Sequence, residues 1–346
     1  MSVLTPRRFA FALALCAALL LAAVLLSPGI GTSPVGLLEA WRSLGGDRPD
    51  DTVYYIAFRL RLPRCLKALL AGATLSMCGA VFQNLFRNPL ATPYTLGIAS
   101  GGSLGALIGI KLGLAGSLLF LTPVTLCAFA GSAAVVGAVA LMARATRGLS
   151  SNTLLLGGVT IGFLCSALMM FVLYLASEHE TFLIMGWMMG SLDAVGMGET
   201  LALLPLLVVS WGVLVWQARA LNQYELGEEI AATRGVNPGR LQAICIGFAS
   251  LGTAATVSVC GPVGFVGLIV PHAARRLFGG DARLLLPVSA LLGGTFLIVC
   301  DWLSALGPAF YGRLVGQDFT ARLPIGVMTA LIGAPLFLVI LCRRFR

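Results

Sequence analysis

Apolar runs of roughly 18 to 27 residues recur along the whole chain, and each is long enough to cross a bilayer. They fall near 9–26, 62–85, 95–113, 117–143, 153–176, 200–217, 240–259, 264–278, 284–304 and 323–342. Lipid offers no partner to a backbone N–H or C=O, so such runs must fold as helices. The expectation is an all-α, polytopic membrane protein of about ten transmembrane helices, one domain over 1–346. The 264–278 run is short and contains Pro271. Of the 346 residues, 58% are hydrophobic and only 11% charged. A soluble chain would carry about 25% charge to cover its surface.

Phe9 to Leu26 follows Arg7 and Arg8 as a secretory signal would. It is longer than an ordinary h-region, and no small-x-small cleavage site follows it before Ser27-Pro28-Gly29, so an uncleaved first helix is expected. The nine cysteines are scattered through the apolar runs without a CxxC pair. They read as small core hydrophobes rather than a metal site. With a cytoplasmic N-terminus, ten spans return the C-terminus to the same side. That side then holds fourteen of the 23 basic residues and leaves nine outside. The bias has the sign of the positive-inside rule, so the net charge of +9 reports topology and no nucleic-acid partner is implied.

Two interruptions break the stretch from 61 to 109: RLPR and RNPLATP. A membrane chain tolerates polar groups at such depth only at a protein contact or a passage. Arg59, Arg61 and Arg64 lie at the entrance of the second span on the disfavoured outer side, with Pro63 suited to a first turn. Snorkelling would explain one arginine. Three so close together point to docking of an acidic partner. Gly97, Gly101, Gly105, Gly109 and Gly113 recur every fourth residue, a small ridge for close helix packing. Gly158 with Gly162, and Gly186 with Gly190, repeat that spacing.

No energy source is visible in the chain. Asp301 is the one acid clearly inside a predicted span, thin support for a proton- or sodium-coupled carrier. The only lysines, Lys67 and Lys111, lie outside any GxxxxGK[ST] loop, and His179 and His272 stand alone. The chain is expected to be no enzyme, to hold no metal and to bind no cofactor. The inner segment 221–240, LNQYELGEEIAATRGVNPGR, is the one with polar helical character. Glu225, Glu228 and Glu229 favour the start of a short helix and Gly235 its C′ position. Such a helix outside the membrane is a natural surface for a soluble ATPase to push.

These motifs together resemble the permease subunits of type II binding-protein-dependent ABC importers for iron–siderophores, haem and vitamin B12. The matching stretches are RLPR at 61–64, GAVFQNLFRNPLATPYTLGIASGGSLGA at 79–106, NTLLLGG at 152–158, WMMGSLD at 187–193 and LGEEIAATRGVN at 226–237. They continue with GPVGFVGLIVPHAARRLFGGDARLLLPVSALLGG at 261–294 and LPIGVMTALIGAPLF at 323–337. The resemblance runs from about residue 59 to the C-terminus.

The resemblance implies a vitamin B12 permease-like bundle, a homodimer with the path on its two-fold axis. Two ATPase subunits carrying ATP and Mg would bind below, and a periplasmic or lipoprotein substrate-binding protein above. The membrane would be the cytoplasmic (inner) membrane of a bacterium, with both termini cytoplasmic. Coupling to the ATPase then falls on Leu226, Gly227, Glu228, Glu229, Ala231, Arg234 and Gly235, although Arg234 stands where the family more often has Leu. Docking falls on Arg61 and Arg64. A family arginine is Ala305 here, and an acid usually before LPxG is Arg322, which leaves Arg313 and Arg322 as substitutes. The inner gate falls on Asn88 and Leu90 with Ser151 and Asn152. The fifth span, with Thr160, Ser166, Met169 and Met170 but no charge, suits a wide and non-sticky conduit. An iron chelate (siderophore or haem) is the first expectation for substrate and vitamin B12 the second. An ion-coupled carrier working alone is the alternative.

Overall fold

The computed structural model describes residues 5–45, 52–114, 116, 121–145, 151–193, 198–315 and 322–342, and no strand occurs among them. Helix α1 (Pro6–Leu26) starts with Pro6 at its first position and the Thr5 hydroxyl accepting from the Arg8 N–H at 3.4 Å. Short helices α2 (Leu37–Arg42) and α3 (Thr52–Tyr54) follow. The latter continues through a π-helical stretch, Tyr55–Arg61, into α4 (Leu62–Leu85), so that one helix of 34 residues runs from Thr52. It begins earlier than the apolar pattern predicts. Arg59, Arg61 and Arg64 are therefore inside a helix and not at its entrance. Pro63 removes one helical donor, and the wider turn just before it is the usual accommodation.

Helices α5 (Ile98–Lys111), α6 (Pro123–Ala145) and α7 (Ser151–Tyr174) come next. A helix that the apolar pattern does not predict, α8 (Glu178–Met188), is capped by Ser177. The Lys111 ammonium donates to Glu180 at 2.8 Å and, with the Ser177 N–H, holds that carboxyl at about 2. A depressed carboxyl stays ionised above that value, so this tie of α8 to α5 persists until pH falls through about 2. The chain continues as α9 (Gly198–Trp216), α10 (Ala218–Glu225), α11 (Glu228–Thr233), α12 (Pro238–Cys260), α13 (Val266–Phe278), α14 (Ala282–Val315) and α15 (Ile325–Cys342).

Every one of the ten predicted runs is met by a helix. Among the described residues seven helices are long and apolar enough to cross a membrane, and Ile98–Lys111 and Ile325–Val339 are shorter apolar helices. The 264–278 run is the exception in kind. Its helix α13 has 13 residues and spans about 20 Å, too little to cross alone. The irregular segment before it is partly buried in protein, where its polar backbone finds partners. The Tyr94 hydroxyl accepts from the Val263 N–H, and the Ser191 N–H donates to the Cys260 carbonyl at 2.8 Å.

Helix α4 is the hub, packed on α12, α13 and α14. Its buried face is Ala68, Ala71, Gly72, Thr74, Ser76, Cys78, Gly79 and Ala80, whereas α1 shows Phe11, Leu15, Leu19 and Leu21 outward. In lipid a leucine gains nothing by turning inward, so close contact between small residues holds the bundle. A methyl group at Gly79 would lie 1.9 Å from the Gly267 carbonyl oxygen, and one at Gly72 2.2 Å from that of Gly293. The glycine ridge of the third span divides its labour. Gly105 faces α6, where a methyl would come within 2.1 Å of the Cys127 carbonyl. Gly97 is left-handed (φ 74°) ahead of α5 and meets Gly158 of α7. Gly113 lies beyond the helix end and Gly186 faces open space, so neither packs as the spacing suggests.

Gly79→Val is expected to lower stability by about 1–3 kcal/mol, the ordinary cost of overpacking. Val substituted for Gly137, whose surroundings are open, should cost little. Thermal unfolding of both variants in detergent checks this, and equal melting temperatures would disprove tight packing at α4–α13.

Candidate functional site

One end of the bundle carries the 226–235 elbow. The stretch 218–233 forms two helices, α10 and α11, not one. Glu225 closes α10 instead of opening the short helix, because its carboxylate pairs with Arg275 at 2.9 Å. Gly227 (φ 141°) turns the chain, and Glu228 and Glu229 occupy the first turn of α11, where the helix dipole favours them. Gly235, left-handed at φ 82°, ends it. Its N–H donates to the Ala232 carbonyl at 3.0 Å and the Val236 N–H to that of Ala231 at 3.0 Å, a Schellman cap. Ala231 is buried against the bundle, while Leu226, Ile230 and Arg234 are exposed. The elbow thus presents an apolar pair on an otherwise polar end. Nearby, Arg283 donates to both Asp281 oxygens and holds that carboxyl at about 2, and Asn222 of α10 donates to it at 2.7 Å.

At the same end lies the loop after α4. Asn88 Oδ1 accepts from the Leu90 N–H at 2.9 Å, and Leu90 is 46% exposed at its tip. Ser151 and Asn152 open α7, but their side chains lie outside the described residues. Thr160 donates to the Leu156 carbonyl at 2.9 Å and Ser166 to that of Gly162 at 2.9 Å. Both hydroxyls are therefore spent on their own helix. Met170 is exposed with Leu156, Phe163 and Phe171 on an uncharged face. Met169 instead turns inward and packs with Leu107 and Ile184, so it does not belong to that face.

The opposite end carries the arginines. Arg61 is buried and donates to the carbonyls of Pro28 (2.8 Å), Ser33 (2.6 Å) and Val35 (3.3 Å). Arg64 bridges Asp301 at 2.6 Å and Asp193, and Lys67 donates to the Asp193 carbonyl at 3.0 Å. Arg322 stands 3.8 Å from Asp301. The Arg313 side chain lies outside the described residues. Arg61, Arg64, Arg322 and Asp193 line a cleft of about 290 Å³ with Thr32 and Ser33. Arg61 and Arg64 thus hold this end together from within, and Arg59 is the member of the trio that is exposed. Sequence reasoning noted Asp301 inside a span but left it without a partner. The signal was available, since an acid at that depth calls for a cation. Among the described residues no cluster of His, Cys, Asp or Glu is arranged to hold a metal.

The structure is thus a helical membrane bundle with an exposed elbow at one end and a buried ionic lock at the other. The chain matches the FecCD transport family over residues 19–343, and it belongs to that family. It is 37% identical over 305 residues to YvrB, an uncharacterised ABC transporter permease of Bacillus subtilis, covering 88% of this chain and 83% of that protein. It is 40% identical over 293 residues to the cobalamin import system permease BtuC of Halobacterium salinarum, covering 84% and 74%. The structure superimposes on an inward-facing metal-chelate type ABC transporter with TM-score 0.80 and 30% identity, covering 96% of this chain and 98% of that one. The chain is accordingly the permease subunit of an ABC importer, a multi-pass membrane protein and not an enzyme, with the ATPase in a separate subunit.

The side chains of Arg64 and Asp301 are 9% and 11% exposed and that of Asp193 82%. Asp301→Ala is expected to cost about 3–5 kcal/mol, because a buried guanidinium loses its buried partner. Asp193→Ala should cost under about 1 kcal/mol. Chemical or thermal unfolding in micelles reads both, and a reversed order would refute the lock.

Proposed function

We propose that this chain, as a homodimer with two ATPase subunits and a substrate-binding protein, moves a metal chelate across the cytoplasmic membrane of a bacterium by alternating access. The 226–235 elbow faces the cytoplasm and seats in the ATPase. The observation that carries this reading is the elbow itself: Ala231 anchors it while Leu226 and Ile230 stand out from a polar end. An iron–siderophore or haem is the preferred cargo and cobalamin the next. The metal-chelate transporter that shares this fold supports the class, and the uncharged outer face of α7 suits bulky cargo that must be released. The binding protein docks at the Arg64 end, with Arg59, Arg313 and Arg322 as its basic contacts and the buried Arg61 and Arg64 bracing the surface beneath them. Charge there governs encounter and registration. An ion-coupled carrier is disfavoured, since Asp301 is neutralised by Arg64 near one end of the bundle.

Reconstitution of the permease with its ATPase and receptor tests this. Labelled ferric siderophore, haem and cyanocobalamin are offered in turn, and ATP-dependent uptake of one is expected. Uptake driven by an ion gradient without any ATPase would overturn the reading. Ile230→Glu is expected to weaken ATPase co-purification by about tenfold or more, as loss of an apolar anchor does.

A further inference from the structure

The elbow and the loop bearing Asn88 and Leu90 belong to different helices, and one buried tyrosine joins them. Tyr224, in the last turn of α10, is fully buried. Its hydroxyl donates to Glu228 of α11 at 2.6 Å and accepts from Gln242 of α12 at 2.6 Å. Its carbonyl accepts from Arg87 at 2.9 Å, and the Arg87 guanidinium lies 4.9 Å from the centre of its ring. Arg87 follows α4 directly and holds a left-handed backbone (φ 47°), a conformation that non-glycine residues rarely adopt. It is the left-handed residue of the cap that ends α4, in which its own N–H donates to the Asn84 carbonyl at 3.3 Å and the Asn88 N–H to the Gln83 carbonyl at 3.2 Å. A second strut runs in parallel. Arg275 of α13 donates to Glu225 at 2.9 Å and also to Asn84 in the last turn of α4.

We infer that Tyr224 and Arg87 are positioning residues that transmit displacement of α11 to the 87–91 loop, with Glu225–Arg275–Asn84 as the second strut. This deepens the proposed function and rests on the ATPase gripping the elbow. Helix α11 packs on α10 and α12. Its carboxylate Glu228 is tied to Tyr224, and Tyr224 is clamped by Arg87 through both ring and carbonyl. Motion of the elbow along the bundle must therefore pull on Arg87. Arg87 caps the end of α4, so a pull on it acts directly on the turn that leads into the 87–91 loop.

The test uses the assembled permease–ATPase complex in proteoliposomes, with Cys342, the exposed cysteine, replaced by Ser. Leu90→Cys reports the loop through maleimide labelling, compared between nucleotide-free and ATP–vanadate-trapped states. Tyr224→Phe removes only the hydroxyl bonds, and Arg87→Lys keeps the charge but loses the planar stack. In both, ATPase co-purification and hydrolysis should stay within about twofold, while the nucleotide-dependent difference in labelling shrinks by about tenfold. An unchanged labelling difference overturns the inference, and so does a fall in hydrolysis that matches the fall in labelling. If the unsubstituted complex shows neither ATPase association nor nucleotide-dependent labelling, the proposed function fails before the relay does.

Discussion

Hydrocarbon leaves every polar group to be satisfied by the protein itself, and the fold follows from that constraint. Because lipid competes equally for leucine and phenylalanine, the large residues of α1 and α7 face outward. The hub is built from alanine, glycine, serine and cysteine on α4. Backbone contacts at Gly72–Gly293 and Gly79–Gly267 set the spacing of α4 from α14 and α13. Once they are set, the irregular segment before α13 can run partly buried, because Tyr94 and Ser191 supply its partners.

The same constraint explains why the two ends differ. At one end, Arg61, Arg64 and Lys67 enter the bundle and are neutralised or capped by Asp301, Asp193 and a set of carbonyls. Charge drawn inside in this way locks elements together and leaves little of it free. At the other end charge stays at the surface, and the buried polar contacts converge on Tyr224. One end is thus held together by internal charge, while the other keeps its charge outside and its buried polar contacts on one tyrosine.

The positions of the apolar helices were legible in the sequence, since hydropathy over about 20 residues is a direct reading of membrane thickness, but the pattern could not show that α13 stops short of a full crossing. The elbow was legible too: Gly235 caps α11 and Glu228 and Glu229 start it, as the dipole and glycine rules require. Tertiary pairing was not. Glu225 looks like a first-turn acid by its place near Glu228, yet Arg275, fifty residues away, holds it at the end of α10. Arg61 and Arg64 look like surface cations because the RLPR stretch itself says nothing about Asp193 or Asp301. Helix α8 was missed since its eleven residues, EHETFLIMGWM, mix polar and apolar positions below membrane length. The glycine spacing identified a ridge correctly at Gly101 and Gly105 but could not show where α5 begins and ends.

The central claim is that motion imposed at the elbow opens one end while the other closes. Pulsed dipolar spectroscopy between two permease copies in the ATPase-bound complex measures this directly. Spin labels placed at Leu90 on one end and at Arg59 on the other would be compared between nucleotide-free and ATP-trapped states. The account predicts that the two distances shift in opposite senses on trapping. Distances that stay fixed, or that widen and narrow together, would contradict it.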